Sequence, residues 1–199
     1  MPLVGRTLLE HAVHRVVDSG AVGCVVAVVP ATSVQQARTL LGPDVLVVAG
    51  GADRTASVAC GLAVLPAHVR TVLVHDAARC LVPPELVQRV VQALDRHGAV
   101  VPGLPLADTV KQVDERGNVV RTPDRAALRL VQTPQGFDRD LLERAHRAAA
   151  LSGGGATDDA GLVELLPEPV HVVPGDSRAL KVTTPSDLAH AGWLLASGA

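Results

Sequence analysis

The residue types and spacing that first suggest chemistry are in the run His75-Asp76-Ala77-Ala78-Arg79. A carboxylate such as Asp76 can hold a metal or a substrate hydroxyl, and an arginine such as Arg79 can grip a phosphate through its planar fork. The other reading of Asp-x-x-Arg is a local ion pair that closes a turn. A second candidate is Gly50-Gly51-Ala52-Asp53-Arg54, with Ser57 and Val58 beyond it. Paired glycines let backbone amides approach a planar base or a phosphate, although they also make plain tight turns.

The elements that must position these residues follow from the patterning. Arg70 to Val74 is β-branched and apolar and reads as a buried strand. Pro83-Pro84-Glu85 reads as the start of a helix. Asp76 and Arg79 therefore sit just beyond the carboxyl end of a strand, the edge where open α/β sheets bind ligands. Upstream, Thr7 to Ser19 carries a helical apolar stripe, Cys24 to Val29 reads as a strand, Thr32 to Leu41 as a helix and Val45 to Ala49 as a strand. Asp53 to Leu65 and Pro84 to Arg96 read as helices, and Ala99 to Pro102 as a further strand. This alternation with short connections predicts βαβ units and a parallel sheet.

The pattern then changes. Asp108 to Val113 and Asn118 to Thr122 are charged β runs joined by a glycine-bearing turn. They predict a hairpin arm over about 108–124, outside the core, that either contacts a partner or is simply solvated. Thr133 to Phe137 reads as a turn before a helix from about Asp138 to Leu151, and Ser152 to Gly155 as a flexible loop. Thr157-Asp158-Asp159 caps a helix to about Leu166, Val170 to Pro174 and Ala179 to Thr183 read as strands, and Pro185 opens a last helix. No linker or repeat divides residues 1–199, which predicts a single domain.

Composition narrows the function classes. With 199 residues, 48% hydrophobic and 19% charged, the chain is globular and long enough for a sizeable core. A net charge of −2 leaves no broad footprint for nucleic acid. No apolar run reaches membrane length, and the N-terminus lacks the features of a signal peptide. The three cysteines, Cys24, Cys60 and Cys80, have no metal-ligand spacing and read as reduced, mostly buried thiols of a cytoplasmic protein.

Taken together, His75-Asp-Ala-Ala-Arg79, Gly50-Gly51-x-x-Arg54-x-x-Ser57-Val58, Asp108-Thr109-x-Lys111, Thr133-Pro-Gln135, Thr157-Asp158 and Leu180-Lys-Val-Thr-Thr-Pro-x-Asp-Leu188 resemble, in order, the 2-C-methyl-D-erythritol 4-phosphate cytidylyltransferase family. The resemblance runs from about Leu3 to Leu194. It implies a doubly wound, mostly parallel, Rossmann-like α/β nucleotidyltransferase with a protruding hairpin arm. It also implies transfer of CMP from CTP to a sugar-alcohol phosphate in isoprenoid precursor synthesis, with Mg²⁺ carried by CTP and no metal site of the chain's own. Gly51, Ala52 and Ser57 match positions that hold cytosine and ribose. The family often has a carboxylate where Ala52 stands, so one base contact reduces to backbone. Asp76 matches the acidic residue beside the substrate hydroxyls and the metal-bound triphosphate. Arg79 and Thr109 match residues of the sugar phosphate pocket, and Thr133, in the Thr-Pro-Gln motif, is a further substrate-binding candidate. Arg125 and Lys181 match the two bases that position the acceptor phosphate. In the family Arg125 reaches the neighbouring subunit's site, which implies a homodimer through the arm.

One departure is large. The family opens with a strand and a glycine-rich GxGxR loop that cradles the triphosphate, and no GxGxR occurs in these 199 residues. The expectation on that comparison is a truncated or degenerate member with little turnover. Ribitol 5-phosphate as acceptor and a non-catalytic dimeric binding protein are the alternative readings.

Overall fold

In the computed structural model, which describes residues 2–152 and 156–198, each element follows from local chemistry. The N-terminal strands β1 (Pro2–Leu3) and β2 (Arg6–Thr7) form a small ladder that leads into helix α1 (Leu8–Asp18). Thr7 caps α1 in a reciprocal capping box with Glu10, which satisfies two amide donors that a helix start leaves open. Strand β3 (Val25–Val29), helix α2 (Val34–Leu41) and strand β4 (Val45–Ala49) make one βαβ unit, with β3 and β4 parallel. Helix α3 (Arg54–Ala63) follows the glycine pair and is capped by the Asp53 side chain.

The larger sheet holds β5 (Thr71–Val74), β6 (Ala99–Pro105), β9 (Arg129–Val131), β10 (Gln135–Asp138) and β11 (His171–Pro174). Its order is β11-β6-β10-β5, and β9 also pairs with β6. Strands β5, β6 and β11 share one direction, while β10 lies antiparallel between β5 and β6. Helix α4 (Pro84–Ala93) carries buried Leu86, Val87 and Val90. Phe137 and Val101 pack with Leu142 and Ala145 of α5 (Arg139–Ser152) and with Leu162 and Val163 of α6 (Asp159–Glu164). The short strands β7 (Gln112–Val113) and β8 (Val119–Arg121) form the arm, and α7 (Pro185–Ser197) packs on β1 and the segment around Cys80.

Several expectations need correction. Thr133 to Phe137 is not a turn: Gln135–Asp138 is a buried central strand. The run lacks β-branched residues because the strand must admit α4. A Cβ on Gly136 would lie 2.7 Å from Val90 Cγ1 and 2.8 Å from Leu94 Cδ1. Ala179 to Thr183 is not a strand. A 3₁₀ turn covers Ser177–Ala179, and the segment beyond it is irregular, held to the Asp76 loop by the Val182 amide donating to the Ala78 carbonyl. The arm is exposed as expected, but its paired strands are shorter than the β runs suggested. Of the cysteines, which are free thiols, Cys80 is buried and the other two are half-buried. The flexible loop expected at Ser152 to Gly155 lies, beyond residue 152, outside the described residues.

Candidate active site

Asp76 lies where β5 gives way to a turn, and its surroundings define the site. Lys181 Nζ is 2.9 Å from Asp76 Oδ2, and Arg54 Nε is 3.9 Å from Oδ1. Burial alone would raise the Asp76 pKa. The Lys181 contact, helped by the charges of Arg54 and Arg79, outweighs it and holds the carboxyl below the ordinary range. The backbone of Asp76 is fixed as well. Its amide donates to Thr133 Oγ1 at 3.0 Å, and the same hydroxyl lies 3.0 Å from His75 Nδ1. His75 is pushed down to about 4, first by burial, so the ring is neutral at pH 7. Its Nε2 is sealed from solvent and has no hydrogen-bond partner among the described residues.

Lys181 reaches this carboxylate from an irregular segment, and buried Gln132 explains how. Its Nε2 donates to the carbonyls of Asp176 and Ala179, and its Oε1 accepts from the Asp176 amide. Arg79 adds to this clamp, donating to the carbonyls of Ala179 at 2.8 Å and Val131 at 3.2 Å. Its guanidinium thus ties the Lys181 segment to β9 and lines a second cavity with Leu130 and Ser177.

The glycine pair packs closely against the first turn of α3. A Cβ on Gly51 would lie 2.5 Å from Ala56 Cβ and 3.0 Å from backbone carbon of the same residue, so only glycine fits. The Gly51 amide donates to Ser57 Oγ, which in turn donates to the Asp53 carbonyl. Ala52 is exposed beside them. A cavity of about 660 Å³ opens between β3 and β5, and Arg54, Ser57, His75 and Asp76 are among its lining residues.

The structure therefore brings together Asp76, Thr133 and Lys181, with Ser57 lining the same cavity as Asp76. Thr109 lies exposed at the base of the arm. Arg125 donates to the Ala107 carbonyl, and no ion pair joins it to Asp76 among the described residues. Sequence reasoning passed over Gln132, Asp159 and His146, and it used Arg54 only as part of a motif. Arg54 Nη1 lies 2.6 Å from Asp159 Oδ2, and His146 Nε2 lies 2.9 Å from Asp159 Oδ1. The signal that could have found Asp159 is an acidic residue on the apolar face of a short helix, which needs a cationic partner.

Similarity to known proteins decides the family. The profile of the 2-C-methyl-D-erythritol 4-phosphate cytidylyltransferase family matches residues 1–197. The chain belongs to this family. Curated cytidylyltransferases of that name from Rhodococcus jostii (strain RHA1) and Frankia casuarinae are 52% and 53% identical, over 99% and 98% of this chain and 86% and 72% of their own length. The crystal structure of the Thermus thermophilus cytidylyltransferase superposes with a TM-score of 0.85 at 41% identity, covering 97% of this chain and 90% of that one. A 4-diphosphocytidyl-2C-methyl-D-erythritol synthase from Anaerococcus prevotii superposes at 0.91 with 29% identity, over 98% and 88%. Cytidylyltransferases are nucleotidyltransferases, and the Rossmann-like α/β fold described above agrees with these relatives.

Proposed function

We propose that this protein transfers CMP from CTP to 2-C-methyl-D-erythritol 4-phosphate, a step in isoprenoid precursor synthesis. A phosphate oxygen of the acceptor attacks the α-phosphorus of CTP. The new P–O bond forms as the bond to the β-phosphate breaks, and pyrophosphate leaves with its electron pair. No covalent enzyme intermediate is needed, because such transfers rest on positioning and on offsetting charge.

The observation that carries this reading is the convergence of Lys181 and Arg54 on Asp76. Lys181, a compact point charge, steers the acceptor phosphate, and Asp76 orients the acceptor hydroxyls beside the Mg²⁺-bound triphosphate. Gly51, Ala52 and Ser57 receive the base and ribose, and Arg79, Thr109 and Thr133 serve the acceptor pocket. Mg²⁺ enters as part of the nucleotide substrate. Among the described residues no group of three or more His, Cys, Asp or Glu side chains could hold a metal ion.

The arm carries the assembly part of the reading. Val113 and Val119, paired across the hairpin, and Val120 on its other face are 54%, 58% and 63% exposed, apolar side chains that suit a second copy of the chain. Arg125, exposed at the base of this arm, then serves the neighbouring site of a homodimer. Among the described residues no helix is long and apolar enough to cross a membrane. The free thiols fit a reducing cytoplasm.

The test is pyrophosphate release from CTP by the purified protein, with 2-C-methyl-D-erythritol 4-phosphate or ribitol 5-phosphate as acceptor. Release with the first and not the second supports the proposal. Release only with ribitol 5-phosphate transfers the reading to that acceptor, and CTP binding without release marks a binding protein.

A further inference from the structure

The buried carboxylate on α6 is not used by the reading above. Asp159 is 0% exposed, yet one oxygen meets the Arg54 guanidinium and the other the His146 imidazole. The Arg54 contact is a close ion pair, and among the described residues Asp159 Oδ2 makes no hydrogen bond. His146 sits on α5 and is itself buried. Because the carboxylate offers only acceptors, the imidazole Nε2 is the donor in that pair.

A buried ion pair of this kind is a weak source of stability, since the cost of desolvating both charges offsets most of their attraction. An apolar residue would serve α6 as well, given that its neighbours Ala160, Leu162 and Val163 already fill the core. What Asp159 does uniquely is divide the Arg54 guanidinium between two carboxylates. Nη1 faces Asp159, Nε faces Asp76, and the Arg54 side chain is 37% exposed and lines the cavity. The result is a chain of contacts, His146, Asp159, Arg54, Asp76 and Lys181, that runs from the buried imidazole to the exposed lysine.

We propose that Asp159 is a positioning residue of the transfer site, holding Arg54 at the distance from Asp76 that leaves this carboxylate shared with Lys181. The inference rests on the transfer reading and adds a residue to it. Without Asp159, Arg54 has one carboxylate left within reach and closes on it, drawing Asp76 away from Lys181.

The experiment compares wild type, Asp159→Asn, Arg54→Lys and the double variant, by CTP turnover and by the Asp76 carboxyl titration read by ¹³C NMR. Asp159→Asn should lower kcat by roughly 10–100-fold, by analogy with the loss of an outer partner that orients a metal ligand. It should change KM for CTP little and should displace the Asp76 titration. The double variant should be no slower than Arg54→Lys alone, because Asp159 acts through Arg54. Wild-type turnover with an unmoved Asp76 titration in folded Asp159→Asn overturns the proposal, as does a double variant in which the two losses multiply. Should Asp159→Asn not fold, Arg54→Lys decides, since it keeps the charge but cannot span both carboxylates. If wild type itself releases no pyrophosphate, the transfer reading fails, and the Asp76 titration alone decides the role of Asp159.

Discussion

Two side chains in the Asp76 loop lose their contribution to stability as the pH falls, each in its own window. Burial holds His75 near 4, below its ordinary value of 6.5. Between these values the unfolded chain binds a proton that the folded chain does not, so stability is complete above about pH 6.5 and declines as the pH falls towards 4. This linkage should be worth up to about 3 kcal/mol. Urea midpoints of His75→Asn measured from pH 7 to 4 should be flatter than those of wild type; parallel curves would show that His75 is not the group responsible. Asp76 titrates in a separate window. Its folded pKa is depressed, so its contribution is present at neutral pH and is lost only as the pH falls below the ordinary carboxylate range. On the proposed reading Lys181 matters for rate instead. Its side chain is 47% exposed, and an exposed pair contributes at most about 1 kcal/mol to stability. Lys181→Met should therefore leave the melting temperature nearly unchanged while lowering kcat by roughly 10²–10³-fold, as for the loss of one preorganised donor. A large drop in melting temperature with turnover intact would make the Asp76 pair structural.

Strand β10 shows what patterning can hide. Gly136 sits where Val90, Leu94 and Leu73 converge, so Gly136→Ala overpacks the space between α4 and the sheet. We expect a cost of about 1–3 kcal/mol, read as a melting temperature lower by roughly 2–4 °C for each kcal/mol. An unchanged melting temperature would mean that the three side chains give way freely. The same crowding explains why the strand was illegible in the sequence. Gln-Gly-Phe-Asp has neither β-branched residues nor alternation, because its partners on both sides and the helix above dictate its residues. The opposite error occurred at Ala179 to Thr183. Its composition suits a strand, but Gln132 and Arg79 both donate to the Ala179 carbonyl at its start, and the segment runs on to Asp76, where Lys181 pairs with the carboxylate. Elements with their own period or cap, such as α1 with its Thr7 box and α4 with Pro84, were legible because their signals are local. Asp76 was legible for the same reason, following a clear β run. The Asp159 pairing was not, since its partners meet only in the folded chain.

At the scale of the whole molecule, the exposed valines of the arm make a prediction about assembly. On the proposed dimer, Val120→Lys should shift the protein from dimer to monomer in sedimentation velocity at micromolar concentration, and lower turnover through loss of the Arg125 contribution proposed for the neighbouring site. A monomeric wild type would remove the arm from the assembly. The sheet has a consequence of its own. Among the described residues strand β3 is bonded only to β4 and β5 only to β10, while the site takes Arg54 and Ser57 from the helix after β4 and Asp76 from the end of β5. The two pieces meet across the cavity without a ladder between them. Amides on the facing edges of β3 and β5 should take up deuterium ahead of those of β6, which is bonded on both sides. A nucleotide bridging the two pieces would then act as a rivet, slowing exchange in strands it never touches, by an amount set by its own affinity and concentration.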